Sequence, residues 1–171
     1  MAQLEIPNAT LQTFTWDAQD GNPDYLGVTV VEVLSGAEAN FKLGIMPAGD
    51  PWLSVDFGSD YTVDRWDLGQ YGSIPYMPEG CKFQKSDNGT DWTDVAGASF
   101  DNTPIHSGYA VDEYVFSEDT ARYWRVIQTV PPASGTQYWR IYDVKIYGEA
   151  AAASGGGGLD VAPAGQPLVT G

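Results

Sequence analysis

A chain of 171 residues with 8 basic against 23 acidic side chains, net charge −15, is the size of one domain with a short appendage. Its 43% hydrophobic content, with 6 Trp, 10 Tyr and 6 Phe, excludes an intrinsically disordered chain. The charge repels polyanions and offers an anionic lipid surface no basic cluster, so neither nucleic acid nor direct membrane binding is expected.

The first ten residues, MAQLEIPNAT, have neither a basic start nor an apolar stretch, and read as the start of a protein made in the cytoplasm without a signal peptide. Cys81 is the only cysteine, which leaves no intrachain disulfide and no four-thiolate zinc site. Short runs rich in Val, Ile, Tyr, Phe and Trp recur between Gly, Pro, Asn and Asp clusters, without a long helical period. They predict strands over 11–16, 27–34, 52–57, 63–68, 82–85, 92–95, 113–116, 123–129 and 139–147. That number of short strands suits an all-β, two-sheet sandwich.

In 52–57, Leu53, Val55 and Phe57 alternate with Trp52, Ser54 and Asp56, the pattern of a half-buried strand. In 122–127, Arg122, Trp124 and Val126 alternate with Tyr123, Arg125 and Ile127, which predicts two arginines on opposite faces, at least one paired with a carboxylate. Trp16, Trp66 and Trp139 read as packing residues. Short connections fall at 58–61, 87–89 (with an Asn-Gly pair) and 117–121, and longer ones at 44–51, 69–80, 97–112 and 130–138. If each connection reverses the chain, the short ones share one end of the sandwich and the long ones the other. Binding residues favour loops on a rigid scaffold, so the long-loop end is the expected site.

From Ala150 the sequence becomes AAAASGGGGLDVAPAGQPLVTG, with one charged residue and no aromatic. The expected organisation is a folded domain over 1–149, with room for extra strands in 1–35, then a flexible linker and tail over 150–171. The tail is either disordered or an extended docking peptide that joins other subunits of a larger assembly.

Four motifs, WLSVDFG (52–58), SDNGTDW (86–92), ARYWRV (121–126) and IYDVKIYG (141–148), occur in the order and spacing of discoidin domains. The chain resembles a discoidin-like, coagulation factor five/eight type C domain over 51–148, and is similar to the family 32 carbohydrate-binding modules. The resemblance implies a galactose-binding-like jelly-roll β-sandwich. Family 32 modules often bind a structural calcium, and the resemblance leaves that open here, with Asp143, where the family often has Glu, as the candidate ligand; no other cofactor is expected. The segment before residue 51 lacks the family's threonine-tryptophan pattern. Asn88 stands where the family usually has Asp. The missing terminal disulfide of animal members points toward a bacterial or phage-type relative.

His106 is the only histidine and no Gly-x-Ser-x-Gly accompanies it, so a serine-hydrolase triad is not expected. A sugar site needs aromatic faces for the C–H side of a pyranose and oriented polar groups for its hydroxyls. The long loops supply Tyr71 and Tyr76, then His106 and Tyr109, then Tyr138 and Arg140. The leading expectation is a non-catalytic domain that recognises a cell-surface polysaccharide or other glycan. Its expected setting is a fibre, spike or decoration component on a phage-like virion or extracellular particle. Two alternatives stand beside it: a structural or protein-interaction module without a sugar ligand, and a glycan-processing enzyme.

Overall fold

The computed structural model describes residues 5–6, 13–16, 41–46, 52–72, 77–103, 105–131 and 137–152. Within them the chain is all-β, with β1 (Thr13–Trp16), β2 (Phe41–Met46), β3 (Trp52–Gly72), β4 (Gly80–Ser86), β5 (Thr93–Asp101), β6 (Gly108–Val130) and β7 (Gln137–Ala150). Every pairing is antiparallel, in the hydrogen-bonded order β2-β7-β3-β6-β4-β5, with β1 also on β3. The predicted strand 27–34 and the tail beyond 152 lie outside the described residues.

Two strands are far longer than expected, because the runs 52–57 and 63–68 belong to one strand and so do 113–116 and 123–129. Both strands fold over. Phe116 and Trp124, both on β6, stack at 6.1 Å between ring centroids, although eight residues of straight strand would separate them by about 26 Å. The corners are 58–61 and 117–121, the two short connections expected from the sequence; the ladder breaks after Asp56, resumes with Tyr61 opposite Ala121 and Thr62 opposite Thr120, and shifts register again between Val63 and Arg65. Gly58, at φ 77°, turns the corner of β3, and its N–H donates to Asp56 Oδ1 at 2.7 Å.

The folding-over produces a sandwich. One layer holds β1, residues 52–57 of β3, residues 121–130 of β6, β4 and β5; the other holds residues 61–72 of β3, residues 108–119 of β6, β7 and β2. Phe83 of β4 pins them together. It packs on Trp66, Tyr114 and Phe116 of the opposite layer at 5.3–5.5 Å. Leu53, Val55 and Phe57 face this core as their alternation predicts, joined by Trp66, Trp124 and Trp139, all fully buried.

Four local expectations are corrected. β2 forms where the reading placed no strand and began a long connection at 44, and β5 continues through Gly97 to Asp101, which shortens the expected 97–112 connection. The 86–92 motif makes a six-residue connection rather than a tight hairpin, because the Asn88 side chain organises it: Oδ1 accepts from the N–H groups of Thr90 and Asp91, each at 2.9 Å. The two arginines do not face opposite sides. Ala121 and Trp124 are both buried, which breaks the alternation at 122–123. Arg122 therefore joins Arg125 on the outer face, where its Nε and Nη2 each donate to Asp56 at 2.8 Å.

Candidate functional site

The short corners and the 87–92 turn meet at one end. Lys85 forms an ion pair with Asp119 of the β6 corner, and Gly89 lies against the ring of Tyr123. At the opposite end Gly72 pairs with Gly108, Gly80 with Val130 and Met46 with Gln137, which gathers the longer connections there.

At the loop end, β6, β3 and β7 run side by side. Tyr71 and Tyr109 are directly opposite each other across β3 and β6. In β7 the register steps from Asp143 opposite Gly69 to Ile141 opposite Gln70, so Tyr142 is the extra residue of a bulge. The bulge brings Tyr142 within 6.3 Å of Tyr71 and 5.7 Å of Tyr109, edge-on to the latter. Three tyrosines from three strands thus form one outward cluster, with Tyr109 55% exposed. Gly69 makes room for it: a Cβ there would stand 2.7 Å from Tyr109 Oη and 3.0 Å from Asp143 Cβ.

The other face of the same strands carries a buried polar network. Gln70 Nε2 donates to Asp112 Oδ2 and to Tyr114 Oη, each at 2.8 Å, and Gln70 Oε1 accepts from Trp139 Nε1. Tyr114 Oη donates to Asn102 Oδ1 at 3.2 Å, and Asn102 Nδ2 donates to the Pro78 carbonyl at 3.0 Å. His106 joins through Nε2, 3.1 Å from Asp112 Oδ2, while its Nδ1 is buried without a partner among the described residues. His106 also crosses over Gly72, where a Cβ would come within 2.1 Å of Nδ1. Burial and nearby negative charge push the Tyr114 phenol far above its ordinary value.

Of the residues singled out in the sequence, Tyr71 and Tyr109 share the tyrosine cluster, while His106 lies in the network below. Tyr76 lies outside the described residues, and Tyr138 and Arg140 are described only by backbone position, opposite Ile45 and Lys42. Asp143, opposite Gly69, lies beside the cluster, and burial pushes its carboxyl up, against the weaker influence of Lys145. Among the described residues no three His, Cys, Asp or Glu side chains converge to hold a metal, and Asp143 by itself does not fit the six to eight oxygens of a calcium site. Sequence reasoning missed Tyr142, Gly69 and Gln70. The aromatic at 142 was visible within the last motif, but its outward position depends on a bulge that no local signal marks.

Fold and surface together define a galactose-binding-like β-sandwich domain. The chain belongs to the F5/8 type C family of NedA-like, galactose-binding domains, whose model matches residues 17–126. That match reaches back through the N-terminal segment in which no family motif was read. No curated protein sequence matches the chain. Among solved structures, the chain is similar to the C-terminal domain of a chitobiase from Bacteroides fragilis, with 17% identity, TM-score 0.60 and coverage of 87% of this chain and 100% of that one. It is similar to CpGH89CBM32-5 from Clostridium perfringens, in complex with GalNAc-β-1,3-galactose, with 9% identity, TM-score 0.62 and coverage of 84% and 99%. A third similar structure is the CBM32 of AlyQ in complex with 4,5-unsaturated mannuronic acid, with 22% identity, TM-score 0.56 and coverage of 84% and 97%.

Proposed function

We propose that this chain is a non-catalytic carbohydrate-binding domain that holds a surface glycan at the long-loop end, on the cluster of Tyr71, Tyr109 and Tyr142. The observation that carries the reading is this exposed aromatic surface, beside the Asp143 carboxyl, in a chain of the galactose-binding family. An aromatic face contacts the apolar side of a pyranose, and a neighbouring carboxylate accepts from its hydroxyls. Two similar structures are complexes with different sugars, an amino-sugar disaccharide and an unsaturated uronic acid, so the fold alone does not select the ligand. In the proposed setting, a fibre, spike or decoration component of a phage-like particle with the tail joining other subunits, many copies raise a weak single-site affinity.

The test is binding of the full chain to a multivalent panel of bacterial surface polysaccharides and simple sugars, with and without a calcium chelator. Tyr109→Ala is expected to weaken binding at least about tenfold while stability stays within about 0.5 kcal/mol, as for an exposed side chain. Absence of binding by well-folded protein across the panel would favour the second reading, a structural or protein-interaction module. One observation supports that alternative: Val111 and Val115, 49% and 52% exposed, extend the outward row from Tyr109 along β6.

A further inference from the structure

A second surface with ligand-binding chemistry lies on the outer face of the other layer. Trp52, Ser54 and Asp56 point away from the core, and in register beside them stand Arg125, opposite Ser54, and Tyr123, opposite Asp56. The 87–92 turn folds back over this face. A Cβ on Gly89 would lie 3.2 Å from the Tyr123 ring, and the Arg125 guanidinium lies 4.3 Å from the centroid of Trp92. Together they wall a cavity of about 260 Å³ lined by Trp52, Asp56, Trp92, Tyr123 and Arg125.

The charges around this cavity balance except for one. Asp56 is held by Arg122 through both oxygens, which keeps its carboxyl below the ordinary value of 3.8. Asp94, the carboxylate whose field reaches Arg125, is engaged by Lys82 and by Gln84 Nε2. Arg125 itself donates from Nε to the neutral Gln84 Oε1 at 2.7 Å, and no carboxylate touches its guanidinium among the described residues. Burial acts against its charge and lowers its pKa. In a chain of net charge −15, a partly buried cation among three aromatic rings, without a carboxylate partner among the described residues, stands apart from Arg65, Lys82, Lys85, Arg122 and Lys145, each of which has one. The overall negative charge that repels a polyanion acts only weakly on a ligand with a single negative charge, because fields from distant carboxylates are screened within about 8 Å at physiological salt.

We propose that this cavity is a second sugar site, separate from the loop end, which takes one acidic monosaccharide residue of the hexuronate class. The carboxylate meets the guanidinium of Arg125, and the apolar face of the pyranose lies on the indoles of Trp52 and Trp92. The volume lies below the roughly 300–1,000 Å³ of pockets for drug-sized ligands, which suits one ring rather than a chain. This site does not depend on the loop-end reading.

The experiment is titration of the full chain with sodium D-glucuronate and, at matched ionic strength, with D-glucose, followed by the ¹H–¹⁵N signals of the tryptophan indoles. Those of Trp52 and Trp92 are assigned with the Trp52→Phe and Trp92→Phe variants. Glucuronate is expected to move both signals and glucose to act at least about tenfold more weakly. Arg125→Gln should weaken glucuronate binding at least about tenfold and erase the preference, and Tyr109→Ala should leave both intact. Trp52→Ala, at a residue outside the core, gives the same loss should Arg125→Gln fail to fold. The proposal is overturned if neither indole responds to glucuronate, if glucose binds equally well, if Arg125→Gln and Trp52→Ala bind as the parent does, or if Tyr109→Ala abolishes the response.

Discussion

The two ends of this sandwich are organised by different kinds of polar interaction. At the turn end the polar groups are near the surface, and many are local in sequence: Asn88 Oδ1 gathers the N–H groups of Thr90 and Asp91, and Ser86 Oγ accepts from Gly89 N–H at 2.9 Å. At the loop end they are buried and distant in sequence, with Gln70 bridging Asp112, Tyr114 and Trp139 across three strands. A buried network of this kind holds β3, β6 and β7 in one relative register, whereas a local turn network holds only its own loop. The surface proposed for glycans thus rests on the more demanding of the two designs.

The contrast can be broken most severely at Gln70. A buried donor or acceptor left without its partner costs about 1–3 kcal/mol, so Gln70→Leu is expected to lose about 2–4 kcal/mol in urea unfolding and to weaken glycan binding through displaced tyrosines. A smaller loss would mean that the network is not what holds the register. Asn88→Ala is the counterpart at the turn end. Its hydrogen bonds are exposed, so the expected cost is about 1 kcal/mol, with loop-end binding unchanged. Amide exchange should accelerate within 87–92 and not in β3.

The smallest effect is in the pH dependence, and there the two ends have opposite signs. Asp56 at the turn end is held below its ordinary value of 3.8, first by its hydrogen bond to Arg122. Its contribution to stability is present above pH 3.8 and lost as the pH falls through the folded-state value. Asp143 at the loop end is raised by burial, so its contribution runs the other way: folding favours the protonated carboxyl, and stability falls as the pH rises through its folded value. Asp56→Asn should therefore be less stable than the parent at neutral pH and converge with it in acid. Asp143→Asn should gain near neutrality and converge in acid. Urea midpoints measured across pH 2–7 test both; parallel profiles for all three proteins would remove the distinction between the ends.

Much of the fold was legible because strand patterns are local. The alternation in 52–57 marked Leu53, Val55 and Phe57 as core and left Trp52 and Asp56 outside, where they line the second cavity. The 58–61 and 117–121 connections were read as short and at one end, which they are, although they are corners within continuous strands. The loop-end site was half legible. Tyr71 and Tyr109 were visible as loop aromatics, but no local rule brings Tyr142 between them, and His106, read as a loop residue, has its Nε2 directed to Asp112.

The sequence by itself determined the all-β class, the family and the inward face of 52–57, because each depends on side-chain period and short motifs within a few residues. Only the tertiary structure decided which polar groups meet. The bulge at Tyr142, the bridge at Gln70 and the shared outer face of Arg122 and Arg125 all come from register between strands far apart in the chain. One residue of slip reverses the face that every following side chain presents, and that register is held by contacts across the sandwich.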